Sequence, residues 1–109
     1  MGRDSLGFLE EAVMLVVAAL GEAAYGVRIR EELSRRTGRD YSLGATYTTL
    51  DRLHDKELLT SRVGEPTAER GGRAKRFFRL TERGSKLLDE RLKARQELTS
   101  GVTLGPVLS

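Results

Sequence analysis

The chain contains no cysteine and no tryptophan, and only two of its 109 residues are proline. Without cysteine, disulfides, thiolate metal sites, thiol nucleophiles and direct thiol redox sensing are all excluded. Without tryptophan, no ligand pocket can be built on stacked indoles. Long apolar runs are missing too. The longest, Ala12–Leu20, has nine residues, against about 20 for a membrane-spanning helix. Its flanks carry neither the basic start nor the small-residue cleavage site of a signal peptide. The expectation is a soluble, cytoplasmic protein with no membrane partner. There is no GxxxxGK phosphate loop, dinucleotide fingerprint, HExxH or GxSxG. Carboxylates are plentiful but scattered among cations, so no base, nucleophile and pocket converge. No enzymatic activity, cofactor or metal is expected, and the one histidine, His54, has no clustered ligating neighbours.

What the chain does have is positive charge in one place. The net charge is only +3, with a pI of about 9.6, but Arg70, Arg73, Lys75, Arg76 and Arg79 surround a Gly-Gly pair with no acid between Arg70 and Arg79. Such a cluster suits a polyanion far better than the total charge implies. At this length the chain is one small domain.

Apolar spacing predicts four helices and a hairpin. Residues 5–20 form the first helix, capped by Ser5, with Glu10 and Glu11 near the positive end of its dipole. Phe8, Val13, Val16, Val17 and Leu20 follow helical spacing, while Met14 and Leu15 extend the apolar surface around the cylinder. A helix apolar on nearly every side needs cover on nearly every side, which in so short a chain points to a second subunit. Residues 25–36 form the second helix, stopped by Gly38. The third runs over about 42–56 from Ser42. Leu43, Tyr47, Leu50 and His54 share one face, with Leu53 at its edge, and Ala45, Thr48, Thr49, Arg52 and Lys56 the other. Asp51 and Asp55 fall to the side, so that second face reads as poor in acids. On this reading His54 is a core or dimer-edge residue. Residues 58–64 and 75–81 have strand character around a turn-rich EPTAERGGRA, the pattern of a hairpin with a long tip. Thr81 then caps a fourth helix over 82–98, whose Leu87, Leu88, Leu92 and Leu98 make the narrow stripe of a pairing helix. Residues 99–109 read as a loose tail.

Three helices, a hairpin and a further helix is the order of a winged helix-turn-helix. The fold class is therefore mainly α with a small β-hairpin. Residues 1–81 are the DNA-binding domain and 82–98 a dimerisation helix. The third helix is placed in the major groove, where short polar side chains permit close approach. Thr48 and Thr49 are candidate base readers and Arg52 a guanine or phosphate contact. Ser42 and Thr46 are candidate phosphate ligands at the helix start, with Ala45 beside them. Tyr47 keeps its ring inside and its hydroxyl at the DNA surface. Arg70, Arg73, Lys75 and Arg76 of the wing are assigned to the backbone or an adjacent minor groove. Phe8, Leu9, Val13 and Met14, with Leu87, Leu88 and Leu92, are assigned to a dimer interface.

These residues resemble the PadR family of bacterial transcriptional regulators. The resemblance rests on Leu6-Gly7 with Glu10, Ala24-Tyr25-Gly26-Val27 with Ile29, and Ser42-Leu43-Gly44-Ala45-Thr46-Tyr47 with Leu50 and Arg52-Leu53. It continues through Leu58-Leu59, the Arg-Gly-Gly-Arg wing, and Phe78-Arg79-Leu80-Thr81 with Gly84. The brief segment after the wing is similar to the subgroup with a short C-terminal part. The resemblance implies a homodimeric repressor on a near-palindromic DNA operator, its first and last helices building the dimer. Release by a small-molecule effector is implied by analogy. Glu57 departs from the pattern, because the family usually has glycine there. A left-handed glutamate costs about 1 kcal/mol, or else the helix ends by another geometry. Two other functions fit the same residues less well: a non-specific DNA- or RNA-binding architectural protein, and a winged helix used only to dock another protein.

Overall fold

The computed structural model describes residues 6–65 and 74–106. Along the chain run α1 (Phe8–Leu20), a 3-10 turn (Gly21–Ala23), α2 (Gly26–Thr37), α3 (Leu43–Asp55), β1 (Leu59–Val63), β2 (Arg76–Leu80) and α4 (Glu82–Thr99). The strands pair antiparallel in the register Leu59↔Leu80 to Val63↔Arg76. This is the expected mainly α fold with one small hairpin.

α1 begins after Gly7, not at Ser5, which lies outside the described residues. The Glu10 carboxylate reaches back to accept the Gly7 N–H at 3.2 Å, satisfying one of the donors a helix start leaves unpaired. Glu10 and Glu11 do more than complement the dipole, since both are buried. Glu10 accepts Lys56 Nζ at 2.8 Å. Burial pushes its carboxyl up, but the Lys56 hydrogen bond, the Gly7 N–H and the charges of Lys56 and Arg52 outweigh that and hold it below the ordinary value. Glu11 accepts Arg95 Nη2 at 2.5 Å and faces Arg91 Nε at 3.6 Å.

α1 is the central helix, packed by α2, α3, β2 and α4 of its own chain. Its all-round apolarity is therefore largely covered without a partner. Val13 and Met14 are fully buried and Leu88 of α4 nearly so. These three residues, expected at a dimer interface, form the core of the single chain with Ile29, Leu33, Leu50, Leu53, Leu58, Leu59 and Phe78. Each such side chain contributes about 1.5–3 kcal/mol on burial. Phe8 and Leu15 on α1 stay exposed, as do Leu92 and Leu98 on α4.

α3 ends in a Schellman motif. The Leu58 N–H donates to the Leu53 carbonyl at 3.0 Å and the Glu57 N–H to the His54 carbonyl at 2.9 Å, with Leu53 and Leu58 both buried. Glu57 takes the left-handed position itself, at φ 63°. The helix thus terminates as a glycine would terminate it, with the strain retained. α4 then starts against this corner. Thr81 caps it by accepting the Gly84 N–H at 2.9 Å, and a Cβ on Gly84 would collide with the Leu58 carbonyl. From Leu92 onward every described residue is exposed.

Candidate nucleic-acid interface

Ser42 caps α3 by accepting the Ala45 N–H at 3.0 Å. The helix is turned about 90° from the orientation its apolar spacing predicts, by the 3.6-residue repeat. Thr46, Thr49, Leu50 and Leu53 face the core, while Leu43 and His54 are exposed. Thr46 and Thr49 accordingly leave the set of groove-facing side chains. The Thr46 hydroxyl donates to the Ser42 carbonyl and that of Thr49 to the Ala45 carbonyl, each at 2.9 Å. Once a threonine hydroxyl bonds a carbonyl four residues back, what remains is a methyl group that packs like valine. His54 is a surface residue rather than a core one.

The exposed face of α3 therefore consists of Gly44, Thr48, Asp51, Arg52 and Asp55, flanked by exposed Leu43 and His54 and by half-buried Ala45 and Tyr47. It is less free of acids than its spacing predicts, because the rotation brings Asp51 and Asp55 to its middle. Tyr47 lies over the first residue of α2. Gly26 is buried, and a Cβ there would collide with the Tyr47 hydroxyl and ring. The glycine brings the starts of α2 and α3 together, which sets the angle at which α3 is presented.

The hairpin is fastened along β2 to the segment that enters α2. The Phe78 N–H donates to the Ala24 carbonyl at 2.8 Å. Phe77 meets Tyr25 edge-on at 5.6 Å between ring centres, Arg62 lies over Phe77 at 4.7 Å and Lys75 over Tyr25 at 4.3 Å. Stacked cations of this kind are worth about 0.5–1 kcal/mol each at exposed sites. Arg62 also faces Glu22 at 3.7 Å. Arg76 turns the other way, toward α3. Its Nη1 donates to Asp51 Oδ1 at 3.2 Å, its Nε to Ser61 Oγ at 3.1 Å, and its guanidinium lies 4.8 Å from the Phe78 ring centre. This pair brings the hairpin beside the exposed face of α3. Arg70 and Arg73 lie outside the described residues.

At the end of α2, buried Glu32 is gripped by Arg35 (2.5 and 3.1 Å) and Arg36 (2.5 Å). The Arg35 and Arg36 hydrogen bonds lower its carboxyl from 4.5 to about 2. Among the described residues no group of His, Cys, Asp and Glu could hold a metal ion, and no helix is long and apolar enough to cross a membrane.

Of the residues expected at a dimer interface, Phe8 is 65% exposed and Leu92 39% exposed, and Leu9 and Leu87 are half-buried. Phe8, Ala12, Leu15, Val16, Ala19 and Leu33 line an apolar groove of about 410 Å³ bordered by Glu11, Arg36, Thr37 and Arg95. Spacing flagged Leu15 as extra apolar surface, but Leu33 and Arg95 come to the groove only through the packing of α2 and α4 on α1.

Similar architectures occur in solved structures. A PadR-like transcription factor from Bacteroides fragilis is 27% identical, with 85% of this chain and 84% of that one covered at a TM-score of 0.68. A PadR family transcriptional regulator from Eggerthella lenta is 26% identical, with 85% and 80% covered at 0.64. RosR of H. salinarum, at 21% identity with 91% and 82% covered and a TM-score of 0.67, shares the fold. None of the curated proteins matches the sequence. The family model for the transcriptional regulator PadR-like family matches residues 14–90, a span that runs from within α1 through α2, α3 and the hairpin into α4. By that match, the chain belongs to the PadR-like family of transcriptional regulators.

Proposed function

We propose that this regulator is a homodimeric repressor of a near-palindromic operator, with α3 in the major groove and the wing on the backbone or in the adjacent minor groove. The observation carrying this reading is the placement of the hairpin, through Arg76 and Asp51, against the exposed face of α3. Side chains available to a groove are Ser42, Ala45, Tyr47, Thr48 and Arg52. Arg70, Arg73 and Lys75 supply phosphate contacts. The second subunit covers Phe8, Leu15, Leu92 and Leu98, apolar side chains that the chain by itself leaves exposed. Two-fold symmetry then sets half-sites about 34 Å apart. The groove along α1 suits a small-molecule effector of apolar character. Met14, being fully buried, does not line that surface.

Fluorescence anisotropy on the protein's own upstream DNA and on a shuffled duplex, at two salt concentrations, tests the reading. The expected preference for the native fragment is at least ~10³-fold and survives the higher salt. Equal affinities that collapse together with salt would replace it with phosphate binding alone. Sedimentation of the free protein as a monomer at micromolar concentration would remove the dimer.

A further inference from the structure

The DNA-facing surface carries an acid at its centre, and the structure shows what holds it. Asp51 is exposed in the middle of the α3 face, where a bare carboxylate would repel phosphate. Arg76, a cation of the wing, meets it at 3.2 Å and is fixed there by Ser61 of β1 and the Phe78 ring of β2. Arg76 thus has contacts on three elements, α3, β1 and β2, although it stands at the tip end of the paired strands. We propose that Arg76 serves Asp51 rather than phosphate: it neutralises the carboxylate at the centre of the α3 face, so that this face can meet a duplex without repelling it. This rests on the reading that α3 and the wing bind DNA.

Charge and exposure separate the two roles. The pair is open to solvent, with 37% and 60% of the side chains exposed, so it adds little to folding stability. Its value appears when DNA arrives. In the bound complex an unmasked Asp51 would face phosphates across a partly dehydrated gap, where like charges are costly. A phosphate-binding arginine would contribute equally whatever residue stood at position 51. A neutralising arginine matters only while position 51 is charged.

The test is a double-mutant cycle on a duplex recovered from a randomised library with the unaltered protein. Arg76→Met, which keeps the side-chain stem on Phe78, should weaken binding about tenfold. Asp51→Asn should change affinity little. The double variant should return close to the unaltered protein, with an unchanged salt slope. Arg76→Lys, which keeps the charge, should retain most of the affinity, and a merely structural arginine would not be rescued in either way. Thermal unfolding of the variants should match the parent. Equal losses from Arg76→Met in both backgrounds, with the slope falling by about one unit, would overturn the proposal and make Arg76 a phosphate contact. Failure of the unaltered protein to select any duplex would overturn the DNA-binding reading itself, and this proposal with it.

Discussion

The Thr81 hydroxyl donates to the carbonyl of Glu57 at 2.7 Å, joining the cap of α4 to the residue that ends α3. Glu57 is the one non-glycine residue with positive φ among the described residues. The same Thr81 accepts the Gly84 N–H through its side chain and donates its own N–H to the Leu58 carbonyl at 3.1 Å. One threonine therefore fixes both the exit of α3 and the entry of α4.

Relief of the left-handed strain is the first expectation. Glu57→Gly should stabilise the protein by about 1 kcal/mol, since glycine takes this conformation without the Cβ conflict. The Arg83–Glu57 pair lost in the exchange, at 3.9 Å and exposed, offsets little of that gain. Urea unfolding should show a higher midpoint at unchanged slope, while DNA affinity stays the same because the side chains proposed for the groove lie upstream.

Two glycines should tolerate no side chain, for different reasons. Gly84→Ala drives a methyl into the Leu58 backbone, which cannot move without breaking the Schellman corner, so a loss of about 1–3 kcal/mol or more is expected. Gly26→Ala collides instead with the Tyr47 side chain, which can be removed. Its cost should therefore shrink in a Tyr47→Ala background, and additive losses in the two variants would rule out the contact.

Glu11 should act as the clamp for α4. Glu11→Gln weakens the pairing with Arg91 and Arg95, and the loss expected is about 2 kcal/mol, the scale of hydrogen bonds to charged groups. Amide hydrogen exchange should rise first over the second half of α4, where no other described residue is buried. Uniform loss of protection across the whole chain would mean that Glu11 serves the core rather than the clamp.

Acid should destabilise the protein through Glu32. Its folded value, about 2, lies below the 4.5 of the free group, so the stabilisation is fully present above pH 4.5. It disappears as the pH falls from 4.5 toward 2, where the folded form takes up the proton too. Glu10, held below its ordinary value, acts in the same direction. Urea midpoints measured between pH 7 and pH 3 should fall, and the fall should be shallower in Glu32→Gln.

Neighbouring threonines should behave oppositely. Thr48 is exposed, whereas Thr49 is buried with its hydroxyl bonded to Ala45. Thr48→Ala and Arg52→Ala should each relax base preference at one operator position, by about 1–3 kcal/mol where a base contact is lost. Thr49→Val should leave the preferred sequence as it was. Selection from a randomised duplex library reads both; a changed preference in Thr49→Val alone would reverse the orientation of α3.

Local chemistry determined the elements. Ser42 and Thr81 as caps, Gly38 as a left-handed stop with φ 72° and the paired strand-like runs were all legible, because a cap or stop depends on neighbours a few residues away. The winged order and its likeness to PadR proteins followed from those elements. Which face of α3 looks outward was not legible. Leu43, Tyr47, Leu50 and His54 make as good an apolar stripe by composition as Thr46, Thr49, Leu50 and Leu53 do. The choice between them falls to what α1 and α2 present: Tyr47 is drawn to Gly26, and the two threonines bury because a backbone carbonyl satisfies each hydroxyl. The same holds for the interface side. An all-round apolar α1 is visible in the sequence, but only packing shows that Val13 and Met14 are consumed by the chain's own core while Phe8 and Leu15 are left over. Periodicity records that a surface must be covered; what covers it depends on residues far away in sequence, and those meet only in the folded chain.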